Sequence, residues 1–135
     1  MSRTLNITNP DELTKIIKSE DSVLIDFYAE WCNPCKMLSP RLEELSFKYE
    51  NVKFVKIDFD KSREIAESYE IKHMPTVIGF CGGKILDKLI GFDDLKISAL
   101  ADKLSSNFFI CFIYYLIILI SEFFIKKFFC FFPKY

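Results

Sequence analysis

Two cysteines three positions apart give the sequence its clearest chemical signal. Cys32 and Cys35 lie in the Trp-Cys-Asn-Pro-Cys-Lys segment of residues 31–36. An apolar run typical of a buried strand precedes the segment, and a predicted helix follows it. Cysteines at this spacing at a helix start share one face and can bond to each other. The N–H groups and the positive dipole end of the helix favour a thiolate at Cys32, which is the nucleophile in disulfide exchange, so the pair indicates a dithiol redox site.

The other candidate ligands do not complete a metal site with this pair. A structural zinc site needs four ligands, and the sequence contains no second cysteine pair of this spacing. The remaining thiols and the single histidine are Cys81, Cys111, Cys130 and His73. Lys36 stands where a haem-attachment motif has histidine, which argues against covalent haem. We therefore predict a redox pair that needs neither a metal nor a bound cofactor, with a metal site and an inert buried pair as the remaining alternatives.

Length and charge limit the classes of function. At 135 residues and a net charge of −1, the chain predicts one domain with an appendage. The charge gives no electrostatic case for binding nucleic acid. Residues 1–20 are mixed polar and contain no apolar stretch typical of a secretory signal. We therefore expect a reducing, cytoplasmic setting, where a cysteine pair of this spacing is more often catalytic than structural.

The elements that must hold the cysteines alternate between strands and helices. Apolar periodicity predicts strands at residues 3–7, 22–28, 51–58, 76–80 and 84–90. Helical spacing and capping residues predict helices that begin near residues 9, 32, 62 and 93. This βαβαβαββα order predicts an α/β fold of three layers, with a central mixed sheet between helices. The cysteine pair then lies at the carboxyl end of a central strand, where open α/β sheets place their sites.

Several segments resemble the thioredoxin family, and the resemblance covers about residues 1–107. They are Asp26 to Lys36, Pro40, Met74-Pro75-Thr76, Gly83 and Gly91. The resemblance implies a thioredoxin fold and a thiol–disulfide oxidoreductase, which reduces protein disulfides and is re-reduced by a thioredoxin reductase. Asn33 stands where the family usually has glycine, which implies a small change in redox poise and substrate fit. Pro34 stands where the disulfide isomerase pattern has histidine, which favours a reductant over an oxidase.

The resemblance also assigns roles to three residues of the site. Cys32 is the attacking thiolate, and Cys35 is the resolving thiol that releases the reduced substrate and leaves a Cys32–Cys35 disulfide. Asp26 is the buried carboxylate beneath Cys35, and it accepts the proton of that thiol through water. Because Asp26 alternates in direction with Ile25 and Phe27, periodicity alone also allows a satisfied structural acid on an exposed strand face.

Five more residues are implied to form the surface that meets the substrate. They are Trp31, Asn33, Pro34, Met74 and Pro75. Trp31 shields one side of the disulfide or is an ordinary core aromatic, and Pro34 stiffens the first helical turn. Pro75 is implied to be a cis proline across from the cysteines, and Met74 offers its backbone to an extended substrate segment. The rival hypothesis is a membrane-tethered, thioredoxin-like binding or chaperone module that uses the groove around Pro75 without turnover.

The composition changes sharply after residue 107. Residues 108–135 hold nine of the fifteen phenylalanines and a single acidic residue. We therefore divide the chain into a thioredoxin domain, 1–107, and a hydrophobic C-terminal tail, 108–135. Residues 107–125 just reach the length of a bilayer span, which predicts membrane association through 108–125. The tail lacks glycine, alanine, valine and threonine, which is also typical of A/T-rich sequence translated past a normal terminus, and docking onto the domain is a third alternative.

Overall fold

The predicted order of elements is found in the computed structural model, which describes residues 2–106. The strands of this part are β1 (Leu5–Asn6), β2 (Ser22–Tyr28), β3 (Lys53–Asp58), β4 (Thr76–Cys81) and β5 (Lys84–Ile90). Its helices are α1 (Pro10–Ser19), α2 (Asn33–Lys48), α3 (Arg63–Ser68) and α4 (residues 94–106). None of these helices combines the length and apolar character that a bilayer crossing needs. The tail, 108–135, and its predicted membrane association lie outside the described residues.

The strands form one mixed sheet in the order β1-β3-β2-β4-β5. The central strand β2 is parallel to β3 and antiparallel to β4, and β5 is antiparallel to β4. At one edge, β1 adds two residues parallel to β3. The predicted mixed sheet is therefore confirmed, and the carboxyl end of its central strand leads directly into the cysteine segment.

The alternating side chains of β2 divide the core into two layers. One cluster packs against residues of α1 and α3 and contains Val23, Ile25 and Phe27. Leu24 faces the opposite cluster, which is formed with apolar residues of α2 and α4. Because successive strand residues point to opposite faces, Asp26 shares the face of Leu24. Helices thus cover both faces of β2, and Asp26 lies inside the three-layer arrangement.

Two contacts hold α4 close to the face that carries Asp26. A Cβ atom added to Gly79 of β4 would lie only 2.8 Å from a methyl carbon of Leu100, so glycine permits the close approach of the helix. The hydroxyl of Ser22, at the start of β2, donates a 2.8 Å hydrogen bond to the carbonyl of Leu104. These contacts therefore fix α4 to the two neighbouring strands β2 and β4.

Capping residues begin α1 as the sequence predicts. The side-chain oxygen of Asn9 accepts a 2.8 Å hydrogen bond from the N–H of Asp11. Pro10 occupies the first turn, where the missing backbone donor would have no partner within the helix. In α2, Pro40 lies inside the helix and removes one backbone donor there. Local sequence chemistry therefore accounts for the start of α1.

Candidate active site

The cysteine pair lies where β2 gives way to α2. Cys32 is the N-cap of α2, with φ −85° and ψ 108°, and its Sγ accepts a 3.2 Å hydrogen bond from the N–H of Cys35. An N-cap position exposes the sulfur to helix N–H groups and the positive end of the helix dipole, both of which stabilise a thiolate. The two cysteines form a disulfide with their Cα atoms 5.3 Å apart. The structure therefore shows the oxidised state of the pair.

The segment around the cysteines forms the surface next to the disulfide. Cys32 and Cys35 are only 5% and 3% exposed, whereas Asn33 and Pro34 between them are exposed. Pro34 lies in the first turn of α2, where a missing N–H costs no helical hydrogen bond. The ring of this proline restricts the backbone next to Cys35. The cysteine pair therefore lies just beneath the surface that the start of α2 forms.

Trp31 is a surface residue and not a core aromatic. Trp31 is 64% exposed, and its indole N–H donates a 2.9 Å hydrogen bond to a carboxylate oxygen of Asp60. The alternative of an ordinary core aromatic is wrong, because the loop after β3 holds the indole from outside the sheet. The residue before Cys32 thus has its indole held at the surface by the loop after β3.

A cis peptide bond joins Met74 to Pro75, as the resemblance implies. Met74 packs against the small cluster that contains Ala29, Cys32 and Cys35. The carbonyl of Pro75 accepts a 2.8 Å hydrogen bond from the Gly91 N–H, which ties this loop to the end of β5. Within residues 2–106, the N–H and C=O groups of Met74 have no hydrogen-bond partner. The backbone next to the disulfide therefore carries a donor and an acceptor without partners in this part of the chain.

Asp26 lies on the inner face of β2 that α2 covers. Its side chain is fully buried, and neither carboxylate oxygen has a hydrogen-bond partner among the described residues. Burial raises the pKa of Asp26 to about 7, and the positive charge of Lys56 opposes that increase. The alternative of a satisfied acid on an exposed strand face is wrong, because helices cover both faces of β2. A carboxyl with a pKa near 7 can exchange a proton at neutral pH.

A cavity of about 290 Å³ opens beside Cys35. Lys56 and Ser39 line it together with Tyr28, and Cys35 forms part of its wall. Lys56 is the register partner of Asp26 across the parallel pair β2–β3, so their side chains leave the sheet on the same face. The structure thus brings Cys35 and Lys56, the strand neighbour of Asp26, to the wall of one cavity.

Lys56 and Ser39 were not among the residues that the sequence singled out. A signal for Lys56 is present, since this lysine stands between the apolar residues Val55 and Ile57, just as Asp26 stands between apolar residues in β2. What the sequence lacks is the register that makes Lys56 the neighbour of Asp26. Ser39 carries no signal of its own, because a serine on a helix is ordinary.

Charged side chains form a rim on the Trp31 side of the site. Lys61 Nζ lies 2.9 Å from a carboxylate oxygen of Glu30 and 3.0 Å from one of Asp58. The hydrogen bond with Glu30, and then that with Asp58, raises the pKa of Lys61. The pair with Glu30 is exposed and contributes little to stability, whereas Asp58 is buried. Together the two pairs fix charges at the surface beside the site. Within residues 2–106, no three histidine, cysteine or carboxylate side chains gather where they could hold a metal ion.

Comparisons with known proteins agree on one family. The family model Thioredoxin matches residues 4–105. A thioredoxin of Mycoplasmoides gallisepticum is 47% identical over 87 residues, which cover 64% of this chain and 87% of that protein. The mitochondrial thioredoxin of Rattus norvegicus is 39% identical over 95 residues, which cover 69% of this chain and 57% of that protein. This chain thus spans little more than half the length of the rat relative.

A solved structure gives the same result for the fold. The crystal structure of oxidised mitochondrial thioredoxin 3 from Saccharomyces cerevisiae has a TM-score of 0.72 and 39% identity, covering 75% of this chain and 95% of that chain. Together with the cysteine pair at the start of α2, these matches confirm the thioredoxin fold that the resemblance implied. The chain belongs to the thioredoxin family, and it is a thiol–disulfide oxidoreductase that reduces protein disulfides through the Cys32–Cys35 pair.

Proposed function

We propose that the two cysteines divide the reaction into an attack by Cys32 and a release by Cys35. The Cys32 thiolate attacks one sulfur of a substrate disulfide, forms a mixed disulfide and expels the other substrate sulfur as a thiolate. The observation that carries this assignment is the N-cap position of Cys32, where its Sγ accepts the Cys35 N–H. The N-terminal end of a helix favours the anionic form of that sulfur, which the attack needs.

The second step returns the enzyme to the disulfide seen in the structure. Cys35 loses its proton and attacks the Cys32 sulfur, which breaks the mixed disulfide and releases the second substrate thiolate. Two electrons have then passed from the dithiol to the substrate. Asp26 receives the Cys35 proton through water, and its unpartnered oxygens and raised pKa, near 7, support this role. The cavity beside Cys35 is large enough to hold water, and Lys56, the strand neighbour of Asp26, forms part of its wall.

The substrate segment lies along the loop that carries the cis proline. Met74 offers an N–H and a C=O without partners among the described residues, directly beside the disulfide. An extended segment that pairs with these groups gains main-chain hydrogen bonds, as in strand addition to a sheet edge. Trp31 and Asn33 border this segment from the other side, and Pro34 keeps the first turn of α2 in place.

A thioredoxin reductase is the electron donor that the family resemblance implies. It would reduce the Cys32–Cys35 disulfide by the same exchange in reverse, with no cofactor held by this chain. The rival hypothesis of a binding module without turnover finds no support among the thioredoxin relatives or in the cysteine pair. The cytoplasmic location stays a prediction, and the name of the rat relative places that protein in mitochondria.

The full chain is expected to reduce a protein disulfide in repeated cycles when dithiothreitol supplies the electrons. The physical reason is that dithiothreitol reduces the Cys32–Cys35 bond, which regenerates the attacking thiolate. Turnover is measured as the thiols released from a disulfide-bonded protein per molecule of enzyme. The same amount of dithiothreitol without enzyme is the control. Thiol release at the rate of this control would contradict the proposed function.

The tail is expected to direct the full chain into membranes while residues 1–107 remain in the aqueous fraction. We propose the division at residue 107 because the family match ends at residue 105 and the apolar run begins at 108. Exposing such an apolar surface to water is rarely tolerated by a soluble monomer. Fractionation with and without detergent measures the partition, and a disulfide-reductase assay on both chains measures activity. A full-length chain that stays monodisperse without detergent would exclude the anchor and favour docking onto the domain.

A further inference from the structure

Lys56 makes its contacts with residues other than Asp26. Its Nζ donates a 2.5 Å hydrogen bond to the hydroxyl of Ser39 on α2 and lies 4.6 Å from the ring centroid of Tyr28. Yet Lys56 is the register partner of Asp26, and both side chains leave the sheet on the same face. The two buried oxygens of Asp26 nevertheless have no hydrogen-bond partner among the described residues. The ammonium group of the residue that neighbours Asp26 in the sheet is therefore hydrogen-bonded to Ser39 instead of to the carboxyl.

Ser39 and Lys56 also stand together between two spaces in the molecule. Both residues line the cavity of about 290 Å³ beside Cys35. Both also line an open pocket of about 610 Å³, which the N-terminal segment forms with α2 and which includes Glu43. The hydrogen bond between Ser39 and Lys56 thus keeps the ammonium at the boundary of the Cys35 cavity. Solvation by this open pocket helps an ammonium remain there without a carboxylate partner.

We propose that Ser39 is a positioning residue of the dithiol site, whose hydroxyl holds the Lys56 ammonium away from the Asp26 carboxyl and so leaves that carboxyl able to take the proton of Cys35. The proposal rests on the proton-accepting role of Asp26 in the proposed function. An ion pair with Lys56 would stabilise the carboxylate, and a stabilised carboxylate is a weaker base. Ser39 competes for the same ammonium and prevents that loss.

The surroundings of Asp26 leave Lys56 as the group that can change its basicity. Lys56 is the charged side chain acting on Asp26 within residues 2–106. On the same strand face, Tyr28 has a pKa that is raised by burial first, then by Asp58, and also by Asp26. From β4, the facing residue is Val77, and α4 contributes apolar side chains. On the α2 side lies Cys35, which does not titrate in the disulfide state.

The test is a titration of Asp26 in the oxidised full chain, followed by the carboxyl carbon signal in nuclear magnetic resonance. In Ser39→Ala, Lys56 loses its hydroxyl partner and turns to Asp26, so we expect the pKa of Asp26 to fall by about 1–3. Ser39→Thr keeps a hydroxyl at this position and is expected to retain the parental pKa. Alanine is a good helix former, so the variant is expected to fold. An unchanged or higher pKa in Ser39→Ala would overturn the proposal.

A second variant shows whether the effect runs through the ammonium. Lys56→Met removes the charge, so the pKa of Asp26 is expected to rise, and adding Ser39→Ala is expected to change nothing further. A fall of the same size in the Lys56→Met background would overturn the proposal, because Ser39 would then act by another route.

Turnover separates this proposal from the function on which it rests. If Asp26 accepts the proton, the acid limb of the kcat/KM profile in Ser39→Ala moves to lower pH together with the titration. A titration that moves while the pH profile stays in place would contradict the role of Asp26 as proton acceptor but support the positioning of Lys56. A titration that does not move would overturn the role of Ser39 whatever the profile shows.

Discussion

Replacing Cys35 with serine is expected to trap the enzyme on its substrate, whereas replacing Cys32 is expected to prevent the reaction from starting. In Cys35→Ser, the Cys32 thiolate still attacks, but no second thiol remains to break the mixed disulfide. In Cys32→Ser, the nucleophile at the helix start is gone, and turnover should fall by on the order of 10³-fold or more. The two variants therefore separate attack from release.

Mass measurement of the reaction products distinguishes these outcomes. Cys35→Ser should appear as a covalent adduct of enzyme and substrate that dithiothreitol cleaves by reduction. Cys32→Ser should form no such adduct. Cys81→Ser is a matched control, because Cys81 lies at the end of β4 that is far from Pro75. This strand begins at Thr76, the residue after Pro75, and ends at Cys81. That variant should turn over like the parent. Multiple turnovers by Cys35→Ser at the parental rate would contradict a mechanism with two cysteines.

The elements could be predicted because their signals are local. Asn9 and Pro10 mark the start of α1, and the apolar run of β2 followed by the cysteine segment marks the strand-to-helix junction. The site residues beside the cysteines could be named only through the family resemblance. In particular, the cis bond before Pro75 does not follow from its neighbours in the sequence. Local sequence chemistry thus predicts the redox role of the cysteine pair, whereas the family resemblance is needed to identify the loop that faces the pair.

The environment of Asp26 could not be predicted, because it depends on contacts between distant segments. Strand alternation places Asp26 opposite to Ile25 and Phe27, but it does not say whether a helix covers that face. In the structure, α2 and α4 close it, and the parallel register brings Lys56 alongside. The hydrogen bond that draws Lys56 to Ser39 depends in turn on the packing of α2 against β3. The basicity of the carboxyl is therefore a property of the packed layers and not of the strand sequence.

Asp26→Asn is expected to stabilise the protein at alkaline pH and to have much less effect on stability in acid. Burial raises the pKa of Asp26 from 3.8 to about 7, so the folded state binds a proton that the unfolded state has already released. Stability therefore falls as pH rises from about 4 to about 7, and the loss is complete above that range. A pKa difference of this size corresponds to a loss of about 4 kcal/mol in the free energy of unfolding, and Asp26→Asn avoids this loss.

Urea unfolding at pH 4 and pH 8 measures this difference in the free energy of unfolding. Asp58→Asn is a control of opposite sign. Burial alone would raise the pKa of Asp58, but hydrogen bonds from the Lys61 side chain and from the N–H of Asp60 lower it. Its stabilising effect is present above the unfolded pKa and lost in acid, so this variant should be less stable than the parent at pH 8. Equal stability of Asp26→Asn and parent at both pH values would mean that the buried carboxyl carries no such cost.

The same Asp26→Asn change is expected to slow the release step. The carboxyl that lowers the stability of the protein would then be the group that the reaction needs. An amide cannot accept the Cys35 proton, so turnover at pH 7 should fall toward the roughly 10²-fold loss typical of a missing general base. The deficit should shrink at higher pH, where hydroxide removes the thiol proton directly. Rapid-quench measurement of the mixed disulfide should show that it forms at the parental rate but decays more slowly. A variant that is more stable and equally fast would mean that Asp26 is a buried cost without a role in proton transfer.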